Sequence, residues 1–476
     1  MRGAVVASLL MLAGCAGVPG AQVPRFEEVA GDDAGFPVAV PATFQSVRGY
    51  LIVEEAPRGR EIRLPVVVVK ARDPSAGYPP VVRFAGGPGL SGLSAAAYPG
   101  AYPWTADRDF IILGQRGTEG AEPALVCTEY RGALGADLSD RVAAAEVCRA
   151  RYEDAGAVLS AYHTAASARD VEALRVVLGI EKLSLYGGSY GTRLALTYAR
   201  DFPDRVESMV LDSPLPHDVS YDDESPGNLR DALAAIGTAC AEDVACARDY
   251  PRVFERFLVA LDAARADPWQ LMAADGSSVT LSAADFVGLV GIEGPRSIVR
   301  APRMMDAIAR RDAEIIRPLI GGATVSSPFA WGMRLSVWCS EDLPFSRRAE
   351  GPLEENFAGL DGAVVPPEVC AVWGVPPRPR AEKAATVSSI PTLIIAGTFD
   401  PLTPPRWADH AAKTLARSHV AIVPFGGHVE TNNWSGDGCA MAIAAAFFAD
   451  EEAFLADPSD ATACLAAQEP PDFIRR

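Results

Sequence analysis

A serine hydroxyl is a poor nucleophile at neutral pH unless a neighbouring base takes its proton and a carboxylate orients that base. One serine here has a setting that suits this chemistry. Gly187-Gly188-Ser189-Tyr190-Gly191 stands where the apolar alternation of "KLSLYG" gives way to the helical pattern of "TRLALTYARDF". A G-x-S-x-G between strand and helix fits a strained turn that lifts the hydroxyl above a sheet, because small flanking residues let strand and helix close on each other. The helix that follows aims its first N–H groups at developing negative charge. A phosphate-binding loop is the competing reading of the same glycines. Neither "GGSYGTR" nor "AGGPGLSG" supplies the GK[ST] or GxGxxG that such a loop needs.

The chain has five histidines, so a base can be sought by elimination. In the chain order serine, aspartate, histidine, both partners follow Ser189. Asp400 closes the apolar run "TLIIAGTFD", and His428 follows "HVAIVPF" after two glycines. Both positions are strand ends, where open parallel sheets place their chemistry. His410 and His419 lie in or just after the helical stretch "RWADHAAKTLARSH" and read as surface residues. His217 comes later than the strand "VESMVLD", and His163 precedes Ser189. His428 is therefore the expected base. An oxyanion would need two N–H donors, one from Tyr190 and one from Gly87 or Gly86 in "RFAGGPGLSG". A plain tight turn would use the same glycines.

The elements that must hold these residues are strands from "GYLIVEE", "IRLPVVVVKA", "PPVVRFAGG" and "DFIILGQRG", then the helix "ARDVEALRVVLG" and the strand–helix–strand run through Ser189 to "VESMVLD". Strand and helix alternate, as in an α/β chain with a mostly parallel sheet and crossover helices. From residue 214 to 385 the texture becomes helical, with no strong buried strand, and "IPTLIIAGTFD" and "HVAIVPFGG" then resume the sheet. The expected organisation is a core of residues 41–213 and 386–476 interrupted by a helical insertion, 214–385. Residues 16–40 are small, polar and proline-containing, and read as a tether.

With 43 Lys and Arg against 61 Asp and Glu, the formal net charge of -18 leaves no net basic charge to neutralise phosphates, so a nucleic-acid partner is not expected. "MRGAVVASLLMLAGC" has one basic residue and then an apolar run too short to span a bilayer, the pattern of a secretory signal. Its end, Leu12-Ala13-Gly14-Cys15, resembles the lipobox of bacterial lipoproteins, which implies lipidation of Cys15 as a cell-envelope anchor; an ordinary signal peptide cut later is the alternative. Ala16, rather than aspartate, leans towards the outer membrane. The other eight cysteines fall as sequence-local couples, which predicts disulfides Cys127–Cys148, Cys240–Cys246, Cys339–Cys370 and Cys439–Cys464 in an oxidising compartment. No metal motif or nucleotide fingerprint is present, and no cofactor is expected.

Together, "AGGPG", "GQRGTEG", "GGSYGTRLALTYARDFPDRV", "IIAGTFDPLTPP" and "GGH" resemble the α/β-hydrolases of the prolyl iminopeptidase and tripeptidyl-aminopeptidase (TAP-like) group, from about residue 45 to the C-terminus. The resemblance implies a triad of Ser189, Asp400 and His428, an oxyanion hole at Gly87 and Tyr190, and a cap formed by the insertion. It implies removal of N-terminal proline or short pieces from peptides with a free N-terminus. By likeness to acidic cap residues of the group, Glu341 in "VWCSEDLP" is the candidate partner for the substrate ammonium; a solvated Glu-Asp pair is the plain alternative. Two positions depart from the group, Ala85 where histidine is usual and Gly114 where an acidic residue is usual. An esterase with the same triad and a non-catalytic surface binding protein remain as rival readings.

Overall fold

The computed structural model describes residues 24–29, 35–132, 137–273, 276–292, 294–320, 329–347, 365–433 and 437–475. The signal segment 1–15 with Cys15, and most of residues 16–40, lie outside these. The core is a nine-stranded sheet in the order β1-β2-β3-β5-β4-β6-β7-β10-β11. Its strands are β1 (Arg25–Glu28), β2 (Ser46–Glu54), β3 (Glu61–Val69), β4 (Val81–Phe84), β5 (Phe110–Leu113), β6 (Leu183–Gly188), β7 (Val206–Asp212), β10 (Thr392–Gly397) and β11 (Ser418–Val423). The pairs β1–β2, β2–β3 and β3–β5 are antiparallel. The remaining pairs, from β5 across to β11, are parallel. The fully buried runs of β5 and β10 fit this, because helices cover both faces of the parallel part and leave no side open to solvent.

Helices Thr164–Val177, Tyr190–Asp201 and Pro405–Ala412 pack on one face, where Val82, Leu185, Leu211 and Ile394 meet Leu174, Leu194 and Ala408. Helix Cys439–Ala449 covers the other face with Ile443 and Phe447 against Val210 and Leu393. Between β7 and β10 lie helices such as Tyr221–Glu242, Val253–Ala266 and Pro295–Ala309, whose apolar stripes build a separate core around Ile236, Phe257 and Met305.

Two features differ from the sequence reading. Residues 25–28, expected within a tether, form an edge strand on β2, held by a bidentate pair between Arg25 and Glu61 at 2.7 and 2.8 Å. The stretch expected to hold no strong buried strand contains a short, half-exposed antiparallel hairpin of β8 (Trp269–Met272) and β9 (Ser278–Leu281), which the sequence did not suggest. β8 alternates buried Trp269 and Leu271 with exposed neighbours, a period-2 signal only four residues long. Four disulfides join Cys127 to Cys148, Cys240 to Cys246, Cys339 to Cys370 and Cys439 to Cys464.

One buried ion pair ties the antiparallel part to the helical layer. Arg116 donates to both oxygens of Asp170 at 2.7 and 2.6 Å, and to the carbonyls of Glu55 and Ala161 at 2.8 Å each. Both partners are buried, so removing one strands the other charge away from water. Asp170→Ala should therefore lower stability by about 3–5 kcal/mol in urea unfolding; a loss under about 1 kcal/mol would mean that water reaches the guanidinium.

Candidate active site

β6 ends in two glycines and turns into helix Tyr190–Asp201 within a single residue, Ser189. That residue has φ 57° and ψ -128°, a left-handed backbone that L side chains avoid. The flanking glycines explain how it is tolerated. A Cβ on Gly191 would lie 2.2 Å from the Phe84 carbonyl oxygen, and one on Gly187 would lie 2.6 Å from that of Gly191. Only glycines let the helix start this close to β4, and the close start forces the turn at Ser189. Gly86 faces the serine in turn: a Cβ there would come within 3.0 Å of Ser189 Cβ.

Asp400 follows β10 and is buried. Its Oδ1 accepts from the N–H groups of Leu402 and Thr403 at 2.8 and 2.9 Å, and its Oδ2 from Thr403 Oγ1 at 2.8 Å. Nδ1 of His428 lies 2.8 Å from Oδ2 and 3.0 Å from Oδ1, so the imidazole donates there. Burial alone would push the Asp400 carboxyl up, but His428 and the Thr403 donors outweigh it and hold the pKa below the ordinary carboxylate value. The loop carrying His428 passes over the end of β10, where a Cβ on Gly397 would lie 2.4 Å from Gly426. It is pinned to β7 as well. Thr431 donates from N and Oγ1 to Asp212 Oδ2 at 2.7 and 2.5 Å, and Val429 N donates to Ser213 Oγ at 2.8 Å. Burial pushes the Asp212 carboxyl up to about 6 against the pull of Thr431.

The other four histidines have structural partners. His163 caps helix Thr164–Val177 by accepting from Ala166 N at 3.2 Å. Nε2 of His217 lies buried against Thr197 Oγ1, and exposed His410 pairs with Asp218. His419 lies on β11, not in the helix before it, and packs on Phe454.

Ser189 and His428 line one cavity of about 530 Å³ together with Gly86, Gly87, Trp331, Trp338 and Asn432. Gly87 has φ 112°, and a Cβ on it would meet Gly89 N at 2.7 Å, so the turn needs glycine there. Two residues that the sequence did not single out hold this turn, and a third, Thr403, serves the carboxylate. Gln115 Nε2 donates to Ala85 O at 3.0 Å, and Arg334 Nη1 donates to Gly87 O at 2.6 Å. Thr403 braces Asp400 as described. The signal for Gln115 was present in "GQRGTEG"; Arg334 comes from a distant helix and gave none. Gly114, one of the two departures, packs directly on Pro65, whose Cγ would lie 2.7 Å from a Cβ.

Glu341 is not among the residues that line this cavity. It is buried, and its two oxygens accept from Thr164 N and Thr164 Oγ1, each at 2.6 Å. Thr164 Oγ1 lies 2.9 Å from the Tyr190 hydroxyl, so Glu341 braces the helix start at Thr164 and the ring of Tyr190. Burial pushes the Glu341 carboxyl up, with the Thr164 donors and Arg193 pulling against it. The carboxylate expected beside the substrate amine thus faces a helix N-terminus.

The chain matches the family model described as alpha/beta hydrolase fold over residues 79–235 and the one described as TAP-like protein over residues 360–458. It is 25% identical over 411 residues to serine protease Hip1 of Mycobacterium tuberculosis, covering 74% of this chain and 75% of that protein. It is 33% identical over 145 residues to the tripeptidyl aminopeptidase of Streptomyces lividans, covering 27% of each. Among solved structures it resembles the proline iminopeptidase of Mycobacterium smegmatis at a TM-score of 0.42 and 16% identity, over 85% of this chain and 99% of that one.

The placement of Glu341 has a measurable consequence. Glu341→Ala should lower stability by about 1–3 kcal/mol, because the buried Thr164 N–H would lose its acceptor, and should change kcat/KM for a free-amine anilide and a simple ester by the same factor. A rise in KM confined to the free-amine substrate would instead make Glu341 an ammonium partner. The two matched segments, in one sheet with a strained serine turn, give the chain the alpha/beta hydrolase fold, with a likeness to TAP-like proteins over residues 360–458.

Proposed function

We propose that the chain is a serine hydrolase acting as an exopeptidase, which releases an N-terminal proline or a short, tripeptide-type piece through an acyl-enzyme on Ser189. One observation carries this reading. Ser189, on its strained turn, lines the same cavity as His428, and His428 donates through Nδ1 to a buried, ionised Asp400. With Nδ1 occupied, Nε2 is the nitrogen left to act as base. His428 takes the proton of Ser189 Oγ as the oxygen attacks the carbonyl carbon. The N–H groups of Gly87 and Tyr190 hold the oxyanion, and His428 returns the proton to the leaving amine. Water then repeats the sequence on the ester. The peptidase names of the relatives support peptides as substrates.

A second reading, a carboxylesterase with the same triad, is favoured by one feature: among the described residues, no aspartate or glutamate lines the cavity. A free ammonium would find no carboxylate there. We also propose that the protein is exported by its first 15 residues and anchored by a lipid on Cys15; four disulfides support an oxidising compartment.

Turnover of proline and tripeptidyl 4-nitroanilides against 4-nitrophenyl butyrate separates the readings. The peptidase reading expects anilide hydrolysis, reduced by about 10⁴-fold in Asp400→Asn through the wrong imidazole tautomer and abolished in Ser189→Ala. Ester hydrolysis with inert anilides would assign an esterase, and wild-type rates in Ser189→Ala would remove the nucleophile.

A further inference from the structure

The charge around the cavity has one sign. Its described lining contains Arg83 and Arg334 and no carboxylate. The two arginines are engaged differently. Arg334 reaches the Gly87 carbonyl, and its guanidinium lies 4.4 Å from the centre of the Trp338 ring, so it serves the turn. Arg83 lies on β4, paired in register with Tyr186 on β6. Its Nη1 donates to the Tyr102 hydroxyl at 2.6 Å, and its guanidinium stands 5.6 Å from the centre of each of the Tyr102 and Tyr186 rings. Its Nε is buried without a hydrogen-bond partner, and among the described residues no carboxylate pairs with it.

A half-buried guanidinium with one hydroxyl for its donors is an unbalanced charge. The flanking rings stabilise it less than a bidentate carboxylate would. The position also suits a ligand. Arg83 is three residues before Gly86, and its pair Tyr186 is three before Ser189, about 10 Å of strand in each case. The arginine therefore lies deeper than the nucleophile, on the wall of the same cavity. Because both residues line one cavity, a substrate held at Ser189 can present a carboxylate to Arg83.

We propose that Arg83 is a specificity-determining residue that binds a carboxylate on the substrate, so that preferred substrates carry an anionic group close to the scissile bond. This rests on Ser189 being the nucleophile. An aspartyl or glutamyl side chain and a dicarboxylic half-ester present the same chemistry. In a protein of net charge -18, a half-buried cation also concentrates the field that draws such a group to one place.

The test uses the full chain and two nearly isosteric esters, mono-4-nitrophenyl glutarate and 4-nitrophenyl valerate, with glutamyl and glutaminyl 4-nitroanilides as the peptide arm. The anionic substrate should be preferred in kcat/KM by more than about tenfold, the size of one charge-assisted contact. Arg83→Met should reduce that ratio by at least about tenfold, and Arg83→Lys should keep most of it. Preference confined to the esters or to the anilides identifies the source of the carboxylate. A ratio near one in the wild type, or a ratio unchanged in Arg83→Met, overturns the proposal. Calorimetric titration of Ser189→Ala with glutarate and with glutaramide reads the same preference without turnover. Tighter binding of glutarate alongside inert substrates would retain the Arg83 site while removing the nucleophile; equal binding of the two would remove the Arg83 site.

Discussion

The site depends on how closely one helix can start beside one strand. Gly191, at the first turn of helix Tyr190–Asp201, leaves no room for a Cβ against the carbonyl of Phe84 at the end of β4. That approach sets where β6 must end and obliges Ser189 to make the whole turn alone, at φ 57°. It also brings the glycine turn after β4 against the serine, because the two strands are neighbours in register. Nucleophile and candidate oxyanion turn are thus positioned by the same backbone contact. Strain at one residue is tolerated because the packed sheet and helix over-determine it.

The other half of the site is held by a comparable economy. Gly397 lets the His428 loop cross the end of β10, and Asp212 and Ser213, at and just past the end of β7, take the N–H groups of Thr431 and Val429. Three adjacent parallel strands therefore supply the fixed points for serine, carboxylate and imidazole. A rigid base places each group without relying on the loops alone. Around them, the described charged groups of the cavity wall are arginines, with the acidic residues turned to structural uses, Glu341 at a helix start and Asp342 in a buried pair with Arg193.

The groups legible in the sequence were those that sit at strand ends beside glycine. Ser189, Asp400 and His428 each follow an apolar run, and chain order with five histidines narrowed the rest. The sheet strands from β2 to β7, with β10 and β11, were legible for the same reason. What escaped has a common cause. Arg334 meets Gly87 across 247 positions of sequence, and Glu341 meets Thr164 across 177. No local pattern reports such pairings. β1 and the β8–β9 hairpin escaped for the opposite reason: their four-residue strands are half or more exposed and lack the mostly buried run that marks the equally short β4 and β5.

The central claim, that the folded turn makes Ser189 a nucleophile served by His428, is tested most directly by covalent capture. The native chain is incubated with a fluorophosphonate and the adduct is located by peptide mass spectrometry. One phosphonyl group on Ser189, lost when the protein is first unfolded in urea, is the predicted result. An adduct on another residue, or none on the folded chain, would contradict it.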